Sequence, residues 1–220
     1  MTTGTHADIT PAGQHAVTCG LEVHQQLDTG KLFCSCPTIL SDGAPDFVFH
    51  RHLHPVPSET GEFDPAALEM GRRHLTFTYR ANRMNACLVD SDEEPILGMD
   101  KEALRIALEV SLLCHGSIVD HLLVMRKAVI DGSNTSGFQR TALVSVGGEL
   151  ILDSGKKIGI QALAVEEDAA RPVEKKENEI VYTIDRLGFP LIELATEPHI
   201  HSPEEAKQTA LKMGEILRIT

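Results

Sequence analysis

A chain of 220 residues, 42% of them hydrophobic, can bury the core of one large domain or two small ones. No apolar run approaches the roughly 20 residues that a membrane span requires, so a cytoplasmic location without membrane contact is expected. A formal net charge of −12, from 32 acids against 20 Lys and Arg, excludes a surface that grips a nucleic-acid backbone unaided, because such binding draws on cations that neutralise phosphates. The same surplus of carboxylates suits divalent cations.

The polar opening, residues 1–15, lacks the apolar centre of a signal peptide and reads as a disordered tail ahead of a domain over 16–220. From Ala16 to Leu27 the alternation of Val17, Cys19, Leu21 and Val23 predicts a strand with Glu22 and His24 together on its other face. Cys34 to Gly61 reads as a loop rich in Cys, Pro, Gly and Asp that includes His50, His52 and His54. Asp64–Arg73 opens with Asp-Pro and reads as a short helix. Asp100 is the expected N-cap of a helix to about Leu113, with Leu104, Ala107, Leu108 and Leu112 on its inner side and Gly116 as its stop. Short Val/Ile/Leu-rich runs then predict strands at Leu122–Ile130, Thr141–Val146, Glu149–Asp153, Lys156–Val165, Ile180–Ile184 and Pro190–Thr196, with Gly147-Gly148 as a hairpin turn. Ser202-Pro203-Glu204-Glu205 starts a helix that is still running at Thr220, so the chain reads as cut within an element. The expected class is α+β, with a curved, largely antiparallel sheet and a few packed helices.

Three separated segments set acids among apolar neighbours: Gly20-Leu21-Glu22-Val23-His24, Glu166-Glu167-Asp168 after a core-like run, and Glu193 within Pro190–Thr196. A carboxylate inside an apolar strand costs several kcal/mol unless it is paired or metal-bound. Taken singly, Glu193 reads more readily as a solvent-facing residue on a half-exposed strand; three such segments in one chain weigh somewhat against that. Oxygen donors with one imidazole point to Mg²⁺ or Mn²⁺. Cys34 and Cys36 with the loop histidines offer zinc ligands, but structural zinc employs Cys pairs two to four residues apart and no second pair follows, so zinc is not expected. The Asp131–Thr141 stretch is dense in Gly, Ser, Thr and Asn and ends near Arg140, as a phosphate-approaching loop would be. It lacks the P-loop pattern, and spacing alone makes it an ordinary long turn.

At these same segments the sequence resembles the glutamyl-tRNA(Gln) amidotransferase B/E family, its archaeal E members above all. The residues that carry the likeness are Cys19–Thr29, Lys31–Pro37, Asp131–Thr141, Glu166–Ala169 and Asp185–Glu193. The resemblance implies the first part of a cradle-shaped catalytic domain, truncated at its C-terminus, with the helical and tail domains that hold tRNA absent. It further implies ATP-dependent conversion of Glu-tRNA(Gln) to Gln-tRNA(Gln), with ammonia supplied by an asparaginase-like glutaminase, the family's D component. Carried over, Glu22, His24, Glu166 and Glu193 fall at magnesium positions, with Glu167 as the alternative to Glu166. Ser133, Asn134, Thr135, Ser136 and Arg140 would lie near ATP. A non-catalytic cradle that only docks the glutaminase is the alternative.

Overall fold

Period-two alternation organises most of this chain, and the computed structural model describes residues 17–220. The expected tail over 1–15 lies outside the described residues. In chain order the elements are β1 (Glu22–Gln26), β2 (Phe47–His52), α1 (Pro65–Arg72), β3 (Thr76–Ala81), α2 (Lys101–Leu113), β4 (Ser117–Ile118) and β5 (Val124–Ala128). They continue with β6 (Phe138–Val146), β7 (Glu149–Ile151), β8 (Lys157–Glu167), β9 (Arg171–Lys175), β10 (Glu179–Thr183), β11 (Pro190–Thr196) and α3 (Pro203–Ile219). The class is α+β, as expected.

A seven-stranded sheet runs β1-β11-β8-β6-β4, with β5 added on β6 and β7 on β8, and all its pairings are antiparallel. One face is apolar: Leu163 and Val165 of β8 and Ile192 and Leu194 of β11 pack against Ala103, Ala107 and Val110 of α2 and Met213 of α3. Since successive side chains alternate between faces, burying these residues turns Glu22, His24, Glu193 and Glu166 to the other face. A smaller sheet, β2-β3-β10-β9, contains the one parallel pairing among the described residues, between β3 and β10. Its own core stacks Phe49 on Tyr79 and Tyr79 on Tyr182, with ring centroids 5.1 and 5.9 Å apart.

Helix ends follow local chemistry. Asp64, Asp100 and Ser202 cap α1, α2 and α3 by accepting from the backbone N–H groups of Ala67, Ala103 and Glu205. The Glu205 side chain in turn accepts from the His201 N–H at 2.8 Å, a reciprocal cap.

Several expectations are corrected. The loop expected over Cys34–Gly61 contains β2, because Phe47, Phe49 and Arg51 alternate inward against β3 while Val48, His50 and His52 face out. The density of histidines hides that period. Strands β3 and β9 also form where none is expected from the sequence. The buried side of α2 is Ala103, Ala107, Val110 and Ser111, and Leu112 is exposed. The helix is turned this way because the Ser111 hydroxyl donates to Ala107 O and accepts from Ser145 of β6, so small residues meet at a close helix–sheet approach. Gly116 follows the stop, but His115 takes the left-handed conformation there, at φ 55°. Gly147-Gly148 turns with positive φ without making a hairpin. Strands β6 and β7 both pair with β8 rather than with each other, and a Cβ on Gly148 would sit 2.3 Å from Cys114 O.

The chain passes between the two sheets four times among the described residues, from β1 to β2, β3 to β4, β8 to β9 and β10 to β11. Asp185, almost wholly buried, anchors the return from β10 to β11 by accepting from the Arg171 guanidinium, Ser41 N and Arg186 N. Burial works to raise the Asp185 carboxyl, but these donors outweigh it and hold it below the usual range. A depressed folded-state pKa stabilises above the unfolded value, near 3.9, and the gain fades as pH falls through the folded value. D185N is therefore expected to lose about 1–3 kcal/mol in urea denaturation at pH 7. The gap from the parent chain should narrow progressively as pH falls below the unfolded value; a gap that stays constant from neutral pH into acid would contradict this.

Candidate functional site

The face of the large sheet opposite the helices gathers residues that lie far apart in the chain. His24 of β1 stands opposite Glu193 of β11, and Glu166 of β8 stands opposite Thr141 of β6. From His24 Nε2 it is 3.3 Å to Glu166 Oε1, 3.4 Å to Glu193 Oε2 and 3.8 Å to Glu22 Oε1. The cluster is graded in exposure: the Glu166 side chain is 3% exposed, Glu193 21% and Glu22 58%. One atom from each of Glu22, His24 and Glu193 falls within 4.8 Å of the others, a spacing at which one ion could touch all three.

Lys127 of β5 completes the cluster. Its ammonium donates to Glu166 Oε2 at 2.7 Å and to Glu193 Oε2 at 3.1 Å, and the Thr141 hydroxyl donates to the same Glu166 oxygen at 3.1 Å. Partial burial works against the charged Lys127, but its two carboxylate partners outweigh that and raise its pKa. Burial likewise works to raise Glu193, and the Lys127 hydrogen bond, with those of Glu166 and His24, brings it below the usual carboxylate range. Sequence reading alone passes over Lys127 and Thr141. The available signal is alternation within Val124–Ala128, which puts Met125 and Lys127 on the acid face.

Glu166 and Glu167, which sequence does not separate, point to opposite faces. Glu167 leaves the cluster and pairs with Arg140, whose Nη1 lies 3.1 Å from its Oε1. Burial dominates there and raises the Glu167 pKa despite the guanidinium. Beside His24 and Glu166 opens a cleft of about 500 Å³, lined also by Gln26, Gln139, Asp168 and Leu191. Gln26 donates to Asp168, and Arg186 pairs with Asp168 at 3.2 Å.

The loop of residues 131–137 is held by the small sheet. The Tyr79 hydroxyl donates to Gly132 O at 2.6 Å and the Tyr182 hydroxyl to Asp131 O at 2.7 Å. Its expected phosphate donors are engaged internally: Thr135 donates to Asp90 O, Ser136 to Phe138 O, and Arg140 to Glu167. Ser133 N closes a turn on Asp131, and Asn134 is buried. Asn134, Thr135, Ser136 and Arg140, with Lys31, Cys34, Asp90 and Glu167, line a cavity of about 10 Å³, room for one water at most.

Behind that cavity Cys34 and Cys36 meet Cys87 and Asp90, and not His50, His52 or His54, with one donor atom of each within 4.8 Å of the rest. The buried Lys31 ammonium lies 3.2 Å from Asp90. Burial, then the Asp90 carboxylate, drives the Cys34 thiol well above its ordinary range and pushes Cys36 up to about 11. Such thiols stay protonated near neutrality, which opposes a nucleophilic role. Cys87 escapes sequence reading because it lies 51 residues beyond Cys36, outside any local spacing rule.

Fold and site together define a two-sheet α+β domain that gathers three carboxylates and one imidazole on its open face. The chain belongs to the GatB/GatE catalytic domain family, whose profile matches residues 17–220. It is similar to the E subunit of the glutamyl-tRNA(Gln) amidotransferase of Sulfurisphaera tokodaii, 54% identical over 202 residues, which covers 91% of this chain and 32% of that protein. The proteins of the same name from Sulfolobus acidocaldarius and Pyrococcus horikoshii are 50% identical over 202 residues and 51% identical over 201, each covering 91% of this chain and 31% of the relative. The chain thus spans about a third of the length of these relatives. No helix among the described residues is long and apolar enough to cross a membrane.

Gly132 sits at φ 81°, and a Cβ there would fall 2.3 Å from the Phe77 ring. G132A is expected to cost about 2–4 kcal/mol by combining left-handed strain with overpacking. A urea midpoint matching that of the parent chain would contradict this account of the loop.

Proposed function

We infer that Glu22, His24, Glu166 and Glu193 hold one magnesium ion that serves ATP-dependent amidation of glutamate carried on tRNA(Gln). The observation that carries this reading is the convergence of three carboxylates and one imidazole, from three strands, beside an open cleft. The donor set fits a hard dication: oxygen ligands predominate, and Glu166 is fixed in place by Thr141 before any ion arrives. Family membership and the names of the relatives support the substrate class.

A free carboxylate is a poor acyl donor, since oxide is a poor leaving group. In the proposed reaction a γ-carboxylate oxygen of the tRNA-bound glutamate attacks the γ-phosphorus of ATP and ADP departs, leaving an acyl phosphate. Ammonia then adds at the acyl carbon and phosphate leaves, so the net change is one ATP to ADP and phosphate with one amide formed. A magnesium held by Glu22, His24, Glu166 and Glu193 would supply positive charge that offsets the charge of the phosphates. His24, Glu193 and Glu166 would orient that ion at the cleft wall, and Gln26, Gln139 and Asp168 would face the incoming groups. The ammonia would come from a separate, asparaginase-like glutaminase. With a net charge of −12, most of the tRNA backbone would be gripped by other parts of the assembly.

H24A and E193Q are expected to keep the fold by circular dichroism and to weaken Mg-ATP binding to the chain, read by titration calorimetry, by about 10–100-fold or more. Parent-like affinity in either variant would remove the cation assignment.

A second reading is favoured by the unexpected arrival of Cys87. Three thiols and one carboxylate within 4.8 Å form a donor set suited to a soft, structural dication. Zinc there would pin the Lys31–Pro37 segment to Cys87 and Asp90, and through Thr135 to the 131–137 loop. Elemental analysis of the purified chain is then expected to give about one zinc per chain, lost in C87S; a zinc-free chain of unchanged stability would leave the cluster as reduced thiols.

A further inference from the structure

Lys127 occupies ground that a dication needs. Glu166 and Glu193 each touch His24 with one contact and Lys127 with another, and the Glu193 oxygen that meets Lys127 at 3.1 Å is the same one that faces His24 at 3.4 Å. An ion seated between His24 and these carboxylates would therefore share Glu193 Oε2 with the ammonium, and two cations on one oxygen repel. The sum of charges does not force an exchange, since three carboxylates would be balanced by the ammonium and a dication together; the shared oxygen does, because Glu193 Oε2 faces both His24 and Lys127 and cannot serve two cations at close range.

Nothing in the packing holds Lys127 in place. All five residues of β5 are exposed, and the Lys127 side chain is itself 46% exposed on a flexible four-carbon stem. It also has somewhere to go. Lys127 pairs across the strands with Gln139, and Gln139 lines the cleft beside His24 and Glu166. A short swing of the stem brings the ammonium to the cleft, where an anionic oxygen would take over the role of the carboxylates.

We propose that Lys127 is the resident counter-ion of the Glu166–Glu193 pair, displaced by the entering dication and transferred to a phosphate oxygen of the nucleotide that arrives with it. This rests on the reading of the cluster as a dication site. Its consequence is an order of loading: the lysine opposes the bare ion and favours the ion–nucleotide complex, so the site fills with both together rather than with metal alone.

The test measures Mn²⁺ binding to the chain by the electron paramagnetic resonance signal of free Mn²⁺, with and without the non-hydrolysable nucleotide adenylyl imidodiphosphate. K127M keeps the stem and removes the charge. It is expected to bind bare Mn²⁺ about fivefold tighter than the parent and the Mn²⁺–nucleotide complex about fivefold more weakly, with K127R restoring the parental order. A lysine that merely supported the fold would weaken both. If the parent binds Mn²⁺ and K127M binds it no more tightly, the counter-ion proposal fails while the dication reading stands. If neither chain binds Mn²⁺, both fall. K127Q, neutral and polar, provides the same comparison should K127M melt early.

Discussion

Three carboxylates crowd one imidazole on the open face of the large sheet, and the arrangement of the domain follows from how that charge is held. Like charges a few ångströms apart repel, and the repulsion grows as water is withdrawn, most of all around Glu166. The sheet supplies what keeps them there. Antiparallel register sets His24 opposite Glu193, Thr141 fixes Glu166 from the next strand, and Lys127 reaches in from the sheet edge. The apolar face beneath, sealed by α2 and α3, makes the register rigid, because a slip of one residue would bury the acids and expose Ile192 and Leu194.

The second sheet bears on this site through loops. Its tyrosines hold the 131–137 loop, Asp185 fixes the return to β11, and the Lys31–Asp90 pair lies where that loop, the thiol cluster and the Asp185–Gly188 crossing meet. The loop hydroxyls and Arg140 are committed to internal partners, so a nucleotide would meet this loop only after some of those contacts had been exchanged. The cleft beside His24, Gln26 and Asp168 is already open, with Glu166 and Asp168 on its wall.

Much of this is legible in the sequence, for a physical reason that differs by element. Strand β11 is readable to the residue because an acid stands alone in an apolar run, and the three helix starts because Asp64, Asp100 and Ser202 have the side chains that caps need. Glu22 and His24 can be placed on one face because a strand has a period of two. Register is not readable: nothing local says that Glu166 and not Glu167 faces His24, since that depends on which face of β8 meets α2. Lys127, Cys87 and Asp90 escape for the same reason, being brought to their sites by strand pairing or by the loop after β3. Strand β2 is hidden by its own histidines, whose chemistry draws the eye from the alternation of Phe47 and Phe49.

The central claim is that Glu22, His24, Glu166 and Glu193 share one hard cation. Anomalous diffraction at the manganese edge, from crystals of the chain soaked in MnCl₂, tests it most directly. A single strong peak within bonding distance of His24 Nε2 and of oxygens from Glu166 and Glu193 is the predicted result. A peak elsewhere on the surface, or none at this cluster while the ion is abundant, would contradict it.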